Sequence, residues 1–388
     1  MDGGPAAPDW APIDASELAS LASRLPAAPA ALEAVWHSPR PFSAAARVRG
    51  MGGEVFVKRH DPRVRDADSL LEEHRFMAHL RGRGLAVPQV LPLRADDGSS
   101  TTALAMDGWT YEVHAVAAGV DLYAQAHSWT PARCQGHARE LGRALASLHR
   151  AAAGYDALPR RNRPLLAGFQ IVGAQDLGCA LERYLREEPN VAGFIGRGAA
   201  GLPHAGAEAI LRVLAPWHAA LRPLLPLLEP LWAHNDWHAS NAFWTGADES
   251  AGVSEIVDFG LCNLGCAMAD LATALERNTI AWLEQDSLGE DAATAGDIGR
   301  LPLALALLEG YASVRPLGAA EREALPLLMA LAHVEYALSE VAYFCGVVGN
   351  TRHASLACPG FLLGHVRWFE SAHGRAYLAG LRGALRAT

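Results

Sequence analysis

The sequence has little charge and no surplus of basic residues. Charged residues make up 19% of the 388 positions, and 33 basic against 42 acidic residues give a formal net charge of −9. Because nucleic-acid binding proteins usually carry a basic surplus, we expect no nucleic-acid partner. Apolar residues make up 51%, which argues against long disorder and can fill more than one core. We therefore expect a folded chain with more than one lobe.

The sequence also lacks paired cysteine ligands for zinc, a signal-peptide pattern and a long apolar run. The six cysteines are dispersed, and the one close pair, Cys262 and Cys266, has no second pair of ligands for a structural zinc ion. The first ten residues, MDGGPAAPDW, have neither the basic nor the apolar region of a signal peptide. No stretch offers about 18 clean apolar residues, the length that a membrane span requires. We expect a cytoplasmic protein with reduced thiols, off the membrane, that is a monomer or a homodimer.

The chain divides into three regions by pattern. Residues 1–30 are rich in Ala and Pro and predict a loose arm with one short helix. Residues 31–118 alternate apolar and polar positions between turns, with one amphipathic helix, which predicts a small antiparallel β-rich N-lobe. Residues 119–388 are mostly helical and predict a larger C-lobe. The predicted fold class is therefore α+β, in two lobes.

The most informative stretch is AHNDWHASNAFW at residues 233–244, which clusters polar residues between apolar ones. Asp236 precedes Asn241 by five residues, and Asp258 follows seventeen residues later in EIVDFG. Oxygen ligands such as those of Asn241 and Asp258 suit Mg²⁺, which binds substrate phosphates. Asp236 is then placed to take a proton from a hydroxyl nucleophile. This division of roles is that of the kinases.

The sequence resembles the aminoglycoside phosphotransferase and choline kinase group of small-molecule kinases, and the resemblance extends over roughly residues 35–345. The resemblance rests on H-x-D-x-x-x-x-N, on D-F-G and on D-L-A, which are carried by His234, Asp236, His238, Asn241, Asp258 and Asp270. It implies a protein-kinase-like fold, Mg²⁺ on Asn241 and Asp258, and Asp236 as the catalytic residue. His234 is then a supporting residue, and His238 either approaches the transferred phosphoryl group or packs. Asp270 precedes a helical stretch, and we expect it to cap that helix, with a role in supporting the residues of the site as the alternative.

The N-lobe should supply the rest of an ATP site. A kinase pairs a strand lysine with a helix glutamate, and the sequence offers Lys58 with Glu73, or Glu72 in its place. The strand that presents backbone groups to adenine is expected at Glu112-Val113-His114-Ala115. The phosphate loop should be SPRPFSAA, which lacks the glycine typical of such loops. Its amides, Ser43 and Arg40 would then face the phosphates.

The acceptor is left open by the sequence. Four residues are the main candidates for contact with it: Trp237, Glu276, Glu335 and Glu340. Arg277 and Asn278, which follow Glu276, are similar candidates. The acceptor is a small-molecule hydroxyl, on an antibiotic, choline or another amino alcohol, a sugar, or a homoserine-like metabolite. Antibiotic resistance and primary metabolism are both open, and ATP is the expected donor with GTP as the alternative.

Two rival interpretations remain at this point. A protein kinase is disfavoured, because the loop reads HND rather than HRD and no A-P-E follows D-F-G. A nucleotide-binding pseudokinase is disfavoured because Lys58, Asp236, Asn241 and Asp258 are all present, although the unusual phosphate loop favours it.

Overall fold

A computed structural model describes residues 8–26, 31–50, 52–161, 163–196, 206–284 and 296–387. The chain forms two compact units. The first ends at Ala118 and also takes in Glu255–Val257; the second comprises Gly119–Ser254 and the chain from Asp258 onward.

The first unit is built on an antiparallel sheet. Its elements are α1 Ala15–Ala22, β1 Glu33–His37, β2 Ala44–Gly50, β3 Gly53–His60, α2 Ala67–Gly82, β4 Leu93–Arg94, β5 Ser100–Thr101, β6 Leu104–Met106 and β7 Trp109–Ala115. The main sheet has the order β1-β2-β3-β7-β6, and its neighbouring strands are antiparallel because short connections join most of them. Helix α2 begins at the cap residue Asp66, whose side chain accepts a hydrogen bond from the Ser69 amide.

The N-terminal arm packs into this unit. Helix α1 opens with a capping box, in which Asp14 and Glu17 bond each other's backbone amides. Leu18 and Leu21 on its buried face join the core under the sheet, together with Ile13 and Leu25 on either side of the helix. The expected short helix is present, but the described part of the arm is not loose, because these four side chains pack into the core.

The second unit is mainly helical. Its elements are α3 Gln135–Ala152, α4 Leu177–Glu187, α5 Pro189–Gly196, α6 Gly206–Leu221, β8 Pro230–Ala233, β9 Ala242–Trp244, β10 Val253–Ile256, β11 Asn263–Cys266, α7 Ala267–Thr279, α8 Leu301–Val314, α9 Ala319–Leu331, α10 Val334–Gly346, α11 Thr351–Ser355, α12 Leu362–Glu370 and α13 Ala372–Ala387. Strand β10 runs from the second unit into the first. Helices α3 and α8 pack closely because Gly142 and Gly310 lack side chains where the helices meet. The predicted α+β class is confirmed.

Within the part of the chain that the structure describes, one apolar segment is long enough by length and composition to cross a membrane. It spans Ala319–Gly346, which contains α9 and α10, and 83% of its most apolar window is buried inside the structure. Burial of that kind is typical of a core helix as well, so the segment is weak support for a membrane span. The two helices meet at Ala332 and His333, which places His333 at the start of α10.

Candidate active site

The H-x-D-x-x-x-x-N stretch forms a loop between β8 and β9. Strand β8 pairs with β11, which fixes the start of the loop against the segment that follows D-F-G. Asp236 and Asn241 are both buried, at 8% and 7% exposure. The Asn241 Nδ2 donates to the Asp236 carbonyl oxygen at 2.9 Å and lies 3.3 Å from its Oδ2. Since the amide nitrogen is engaged in this way, the Asn241 Oδ1 is the atom left for a cation.

Helix α7 holds the backbone of this loop with two side chains. Asp270 accepts hydrogen bonds from the amides of His234 and Asn235, both at 2.9 Å, and Asn278 accepts one from Ala239 at 2.8 Å. The expectation that Asp270 caps a helix is wrong, because α7 begins at Ala267 with Cys266 as its cap. Asp270 lies within the first turn instead, fully buried, and organises the catalytic loop.

A third side chain from α7 binds the Asp236 carboxylate itself. The Arg277 guanidinium lies 2.7 Å from Asp236 Oδ1 and is 3% exposed as a side chain. Its other face stacks on the Trp129 ring, with 3.9 Å from Cζ to the ring centroid. Burial raises the pKa of Asp236, but His238 and Arg277 outweigh that effect and hold the pKa well below its usual range. Asp236 is therefore an ionised, oriented carboxylate at neutral pH.

The D-F-G turn lies against the same loop. Asp258 has φ +62° and Asn235 has φ +61°, a left-handed conformation that is uncommon for residues with side chains and concentrates at functional sites. The Phe259 ring lies 4.8 Å from the His234 ring, centroid to centroid, and Asn235 Nδ2 donates to the Leu261 carbonyl at 3.2 Å. The Asp258 residue is exposed. The structure thus brings the segment with Asp258 beside the loop with Asp236.

The two histidines of the loop have different surroundings. His234 is fully buried, and its Nδ1 accepts a hydrogen bond from the Asp236 amide at 3.3 Å. His238 has Nε2 at 3.5 Å from Asp236 Oδ2 and Nδ1 at 2.8 Å from Ser240 Oγ. His234 therefore packs and supports the loop, whereas His238 lies beside the Asp236 carboxylate.

The first unit carries Lys58 and Glu73 on neighbouring elements. Lys58 lies on β3 directly opposite Glu112 of β7, so both side chains project from the same face of the sheet. Helix α2 covers that face, since His74 Nε2 bonds Glu112 Oε2 at 2.7 Å. Glu73, the residue before His74, is 2% exposed. Lys58 and Glu73 thus lie on elements that pack together within the first unit.

The strand expected to bind adenine is paired along both edges. Glu112, Val113 and His114 lie inside β7, which is paired with β3 along one edge. Along its other edge, the Val113 carbonyl accepts from the Leu91 amide at 2.7 Å, and the Ala115 amide donates to the Gln89 carbonyl at 2.8 Å. These two backbone groups are engaged within the first unit, and the assignment of this strand to adenine stays a prediction. The Glu112 side chain is also engaged, by His60, His74 and His114.

The SPRPFSAA segment is the connection between β1 and β2. Ser38 bonds Ala45 across the hairpin at 2.8 Å, and its hydroxyl accepts from the Arg40 amide at 3.2 Å. Residues of the N-terminal arm hold the loop: the Asp9 amide donates to the Pro41 carbonyl, and Trp10 Nε1 to the Phe42 carbonyl, both at 3.2 Å. Ser43 and Arg40 are both partly buried.

The four acceptor candidates fall in different places. Trp237 is 2% exposed and packs edge-on against His234, so it belongs to the core of the loop. Glu335 accepts from the amides of Gly168, Ile171 and Val172, which anchors that segment.

The other two candidates are both buried. Glu276 bonds His365 Nδ1 at 2.6 Å. Burial raises the pKa of Glu340 to about 7, against the opposing effects of Arg277 and a hydrogen bond from Tyr336. Glu340 therefore lies within the electrostatic reach of Asp236 and Arg277 and can change its charge near neutral pH.

Arg277 and Asn278 act on the catalytic loop, a role that the sequence did not reveal. The signal was the triplet Glu276-Arg277-Asn278 within an otherwise apolar helix. Buried polar groups of this kind require partners, but their partners lie about forty residues away in sequence.

Comparisons with known proteins identify the family of the chain. The model of the phosphotransferase enzyme family (APH) matches residues 42–317. A homoserine kinase of Azorhizobium caulinodans is 30% identical over 271 residues, which cover 70% of this chain and 68% of that protein. A homoserine kinase of Methylobacterium radiotolerans is 30% identical over 304 residues, which cover 76% and 75%. The structure of a microcompartment-associated aminopropanol kinase superposes with TM-score 0.56 at 18% identity, over 89% of this chain and 93% of that one.

The fold and the loop define a small-molecule kinase, an enzyme that transfers phosphate from a nucleotide to a hydroxyl. The chain belongs to the phosphotransferase enzyme family, whose aminoglycoside phosphotransferase-like, protein-kinase-like fold it shares. The family expected from the sequence motifs is thereby confirmed.

Proposed function

We propose that this chain is an ATP-dependent kinase of a small amino alcohol, with homoserine as the first acceptor to test. The observation that carries this choice is the 30% identity to two homoserine kinases across about three quarters of the chain. The arrangement of Asp236, Asn241 and Arg277 supports the chemistry, and the buried acidic groups nearby support a cationic acceptor.

Asp236 would orient the acceptor hydroxyl and take its proton as the new P–O bond forms. Its lowered pKa keeps it ionised but makes it a weak base. The proton therefore moves late, when the attacking oxygen has already lost most of its basicity. Catalysis then rests mainly on positioning and on stabilisation of charge, as expected for phosphoryl transfer.

The donor set fits Mg²⁺. Asn241 offers Oδ1, because its Nδ2 is engaged by Asp236, and Asp258 offers an exposed carboxylate beside the same loop. Bound Mg²⁺ would neutralise charge on the phosphates of ATP. Lys58, oriented by Glu73, would hold the α and β phosphates from the first unit.

Glu340 is the carboxylate best suited to an ammonium group on the acceptor. Glu276 and Glu335 already accept hydrogen bonds from His365 and from three backbone amides. Glu340 has a pKa of about 7, and an ammonium ion beside it would favour its charged form. Recognition of the acceptor amine would then be coupled to the loss of a proton from Glu340.

A phosphorylation assay tests the proposal. The purified chain is incubated with Mg-ATP or Mg-GTP and homoserine, other amino alcohols, choline, a sugar or an aminoglycoside, and ADP or GDP release is measured. We expect the largest kcat/KM for homoserine or a close amino alcohol with Mg-ATP. Phosphorylation of the sugar or the aminoglycoside alone would overturn the acceptor class.

A matched pair of variants controls for contaminating kinases. Asp258→Asn should raise the Mg²⁺ concentration that half-maximal activity requires, whereas Asp97→Asn, a change at an exposed turn carboxylate, should not.

A further inference from the structure

Two histidines and a glutamate from three different helices lie close together in the second unit. They are Glu276 on α7, His333 at the start of α10 and His365 on α12. One ligand atom from each lies within 4.8 Å of the other two, and all three residues are buried. The rings of His333 and His365 are 4.5 Å apart, centroid to centroid.

The histidine nitrogens are incompletely bonded. His365 Nδ1 lies 2.6 Å from Glu276 Oε1, so with an ionised Glu276 it is the nitrogen that carries the proton. Its Nε2 then carries a lone pair. Among the described residues, neither His365 Nε2 nor His333 Nε2 has a hydrogen-bond partner, although both atoms are buried. Such buried orphans are costly unless a ligand satisfies them.

Aromatic packing fixes the orientation of both imidazoles. Trp282 stacks on His365 with ring centroids 3.7 Å apart and an interplanar angle of 7°. Trp129 lies edge-on to His333 with centroids 4.9 Å apart. Rings held in this way retain their positions in the absence of a ligand, which is the property of a preorganised site.

The surrounding charges can balance a dication. Asp236, Glu276 and Glu340 supply negative charge in the same region, and among the described groups that act on the two histidines Arg277 is the positive one. Three carboxylates, when ionised, offset one guanidinium and one divalent cation.

We propose that Glu276, His333 and His365 form a binding site for a divalent transition metal, with zinc as the best match. Two imidazoles and one carboxylate are a known zinc ligand set, and three protein ligands leave a fourth position open. Glu276 and His333 also line a cavity of about 30 Å³ with Arg277 and Tyr336, which has room for one water-sized ligand.

A second Glu–His cluster in the chain provides a contrast. Glu112 bonds His60, His74 and His114 at 2.7–2.9 Å, so the imidazole nitrogens that face it already have a partner. A ligand is needed to complete the cluster at Glu276 but not the one at Glu112.

The test measures metal content and does not depend on kinase activity. The full chain without a histidine tag is stripped with a chelator, dialysed against zinc and analysed by mass spectrometry of the metal. We expect one zinc per chain, a higher melting temperature with zinc than without, and visible absorption of tetrahedral type when cobalt replaces zinc.

Variants localise the metal. His333→Gln and His365→Gln should each raise the zinc Kd roughly tenfold or more. His218→Gln should leave it unchanged, because that buried histidine bonds the Ala174 carbonyl outside the cluster. His74→Gln tests the cluster at Glu112 in the same way and should also leave the zinc Kd unchanged. Absence of zinc from the wild-type chain, or equal zinc binding in all four variants, would overturn the proposal. If the two cluster variants do not fold, the melting-temperature shift and the cobalt spectrum of the wild-type chain decide.

Discussion

The catalytic loop, residues 234–241, and the loop between β1 and β2, residues 38–43, are held in place by different means. The catalytic loop is bonded by three buried side chains from α7, namely Asp270, Arg277 and Asn278. The β1–β2 loop is bonded by neutral groups of the N-terminal arm, the Asp9 amide and the Trp10 indole. In both cases the residues that hold the loop lie outside it in the sequence.

The difference lies in burial and charge. Charge-assisted bonds between buried groups are the strong ones, and removal of one partner leaves the other unpaired. Neutral bonds near the surface contribute about 1 kcal/mol each, because water replaces them easily. We therefore expect changes in the supports of the catalytic loop to affect stability and rate much more than changes in the N-terminal arm.

Arg277→Met gives the largest expected effect. It leaves the buried Asp236 carboxylate without its cation, which should lower the free energy of unfolding by about 3–5 kcal/mol and reduce kcat. Urea unfolding measures the first effect and steady-state kinetics the second. Arg139→Met is the matched control, because its partner Glu309 is 67% exposed, and we expect a loss within about 1 kcal/mol. Equal losses in the two variants would remove the distinction between the buried and the exposed pair.

Glu340→Gln tests the buried charge beside Asp236 through pH. The wild-type carboxyl has a pKa of about 7 when folded against an ordinary value of 4.5, so the folded state holds the proton more tightly. The unfolding free energy of the wild type should therefore fall as pH rises from about 4.5 to about 7, by up to about 3 kcal/mol, and then level off. The variant lacks this loss, so its stability relative to the wild type should increase across that window. Parallel stability curves measured by urea unfolding from pH 4.5 to 8 would contradict the assignment.

Asp270→Asn alters the support of the loop backbone and also the bond between Asp270 and His149 Nε2. The side-chain oxygen of the variant can still accept a hydrogen bond from one of the two backbone amides. Its NH₂ group would face the other backbone amide, so two donors would meet and that bond would be lost. We expect a loss of about 1–3 kcal/mol and a kcat that falls more than KM changes. Unfolding and steady-state kinetics are measured together, and a fall in stability at unchanged kcat would show that the loop geometry does not depend on Asp270.

Trp10→Phe should have the smallest effect. It keeps the ring that packs edge-on against Trp109 and removes the bond to the Phe42 carbonyl. We expect the free energy of unfolding to fall by about 1 kcal/mol. The KM for ATP should rise a few-fold, and the KM for the acceptor should not change. A KM for ATP equal to that of the wild type would show that the arm does not position the β1–β2 loop for the phosphates.

The sequence predicted the parts of the site that short motifs encode. Asp236, Asn241 and Asp258 stand at fixed spacings around a short β connection, and the alternation in β2 and β3 placed Lys58 on a strand. The supports were not predictable, because Asp270 and Arg277 act on residues about 35 and 41 positions away.

The pairing of the expected adenine-binding strand was not predictable for a similar reason. Residues 89–91 bond β7 on the side away from β3, a non-local pairing that local patterns do not encode. The packing of the N-terminal arm likewise depends on distant core residues.

The most direct test of the central claim is single-turnover phosphoryl transfer from ATP to homoserine by the wild type and by Asp236→Asn, with nucleotide affinity measured in parallel. The account predicts that the variant binds the nucleotide as the wild type does but transfers phosphate about 10²–10⁴-fold more slowly. Equal transfer rates in the two proteins would contradict it.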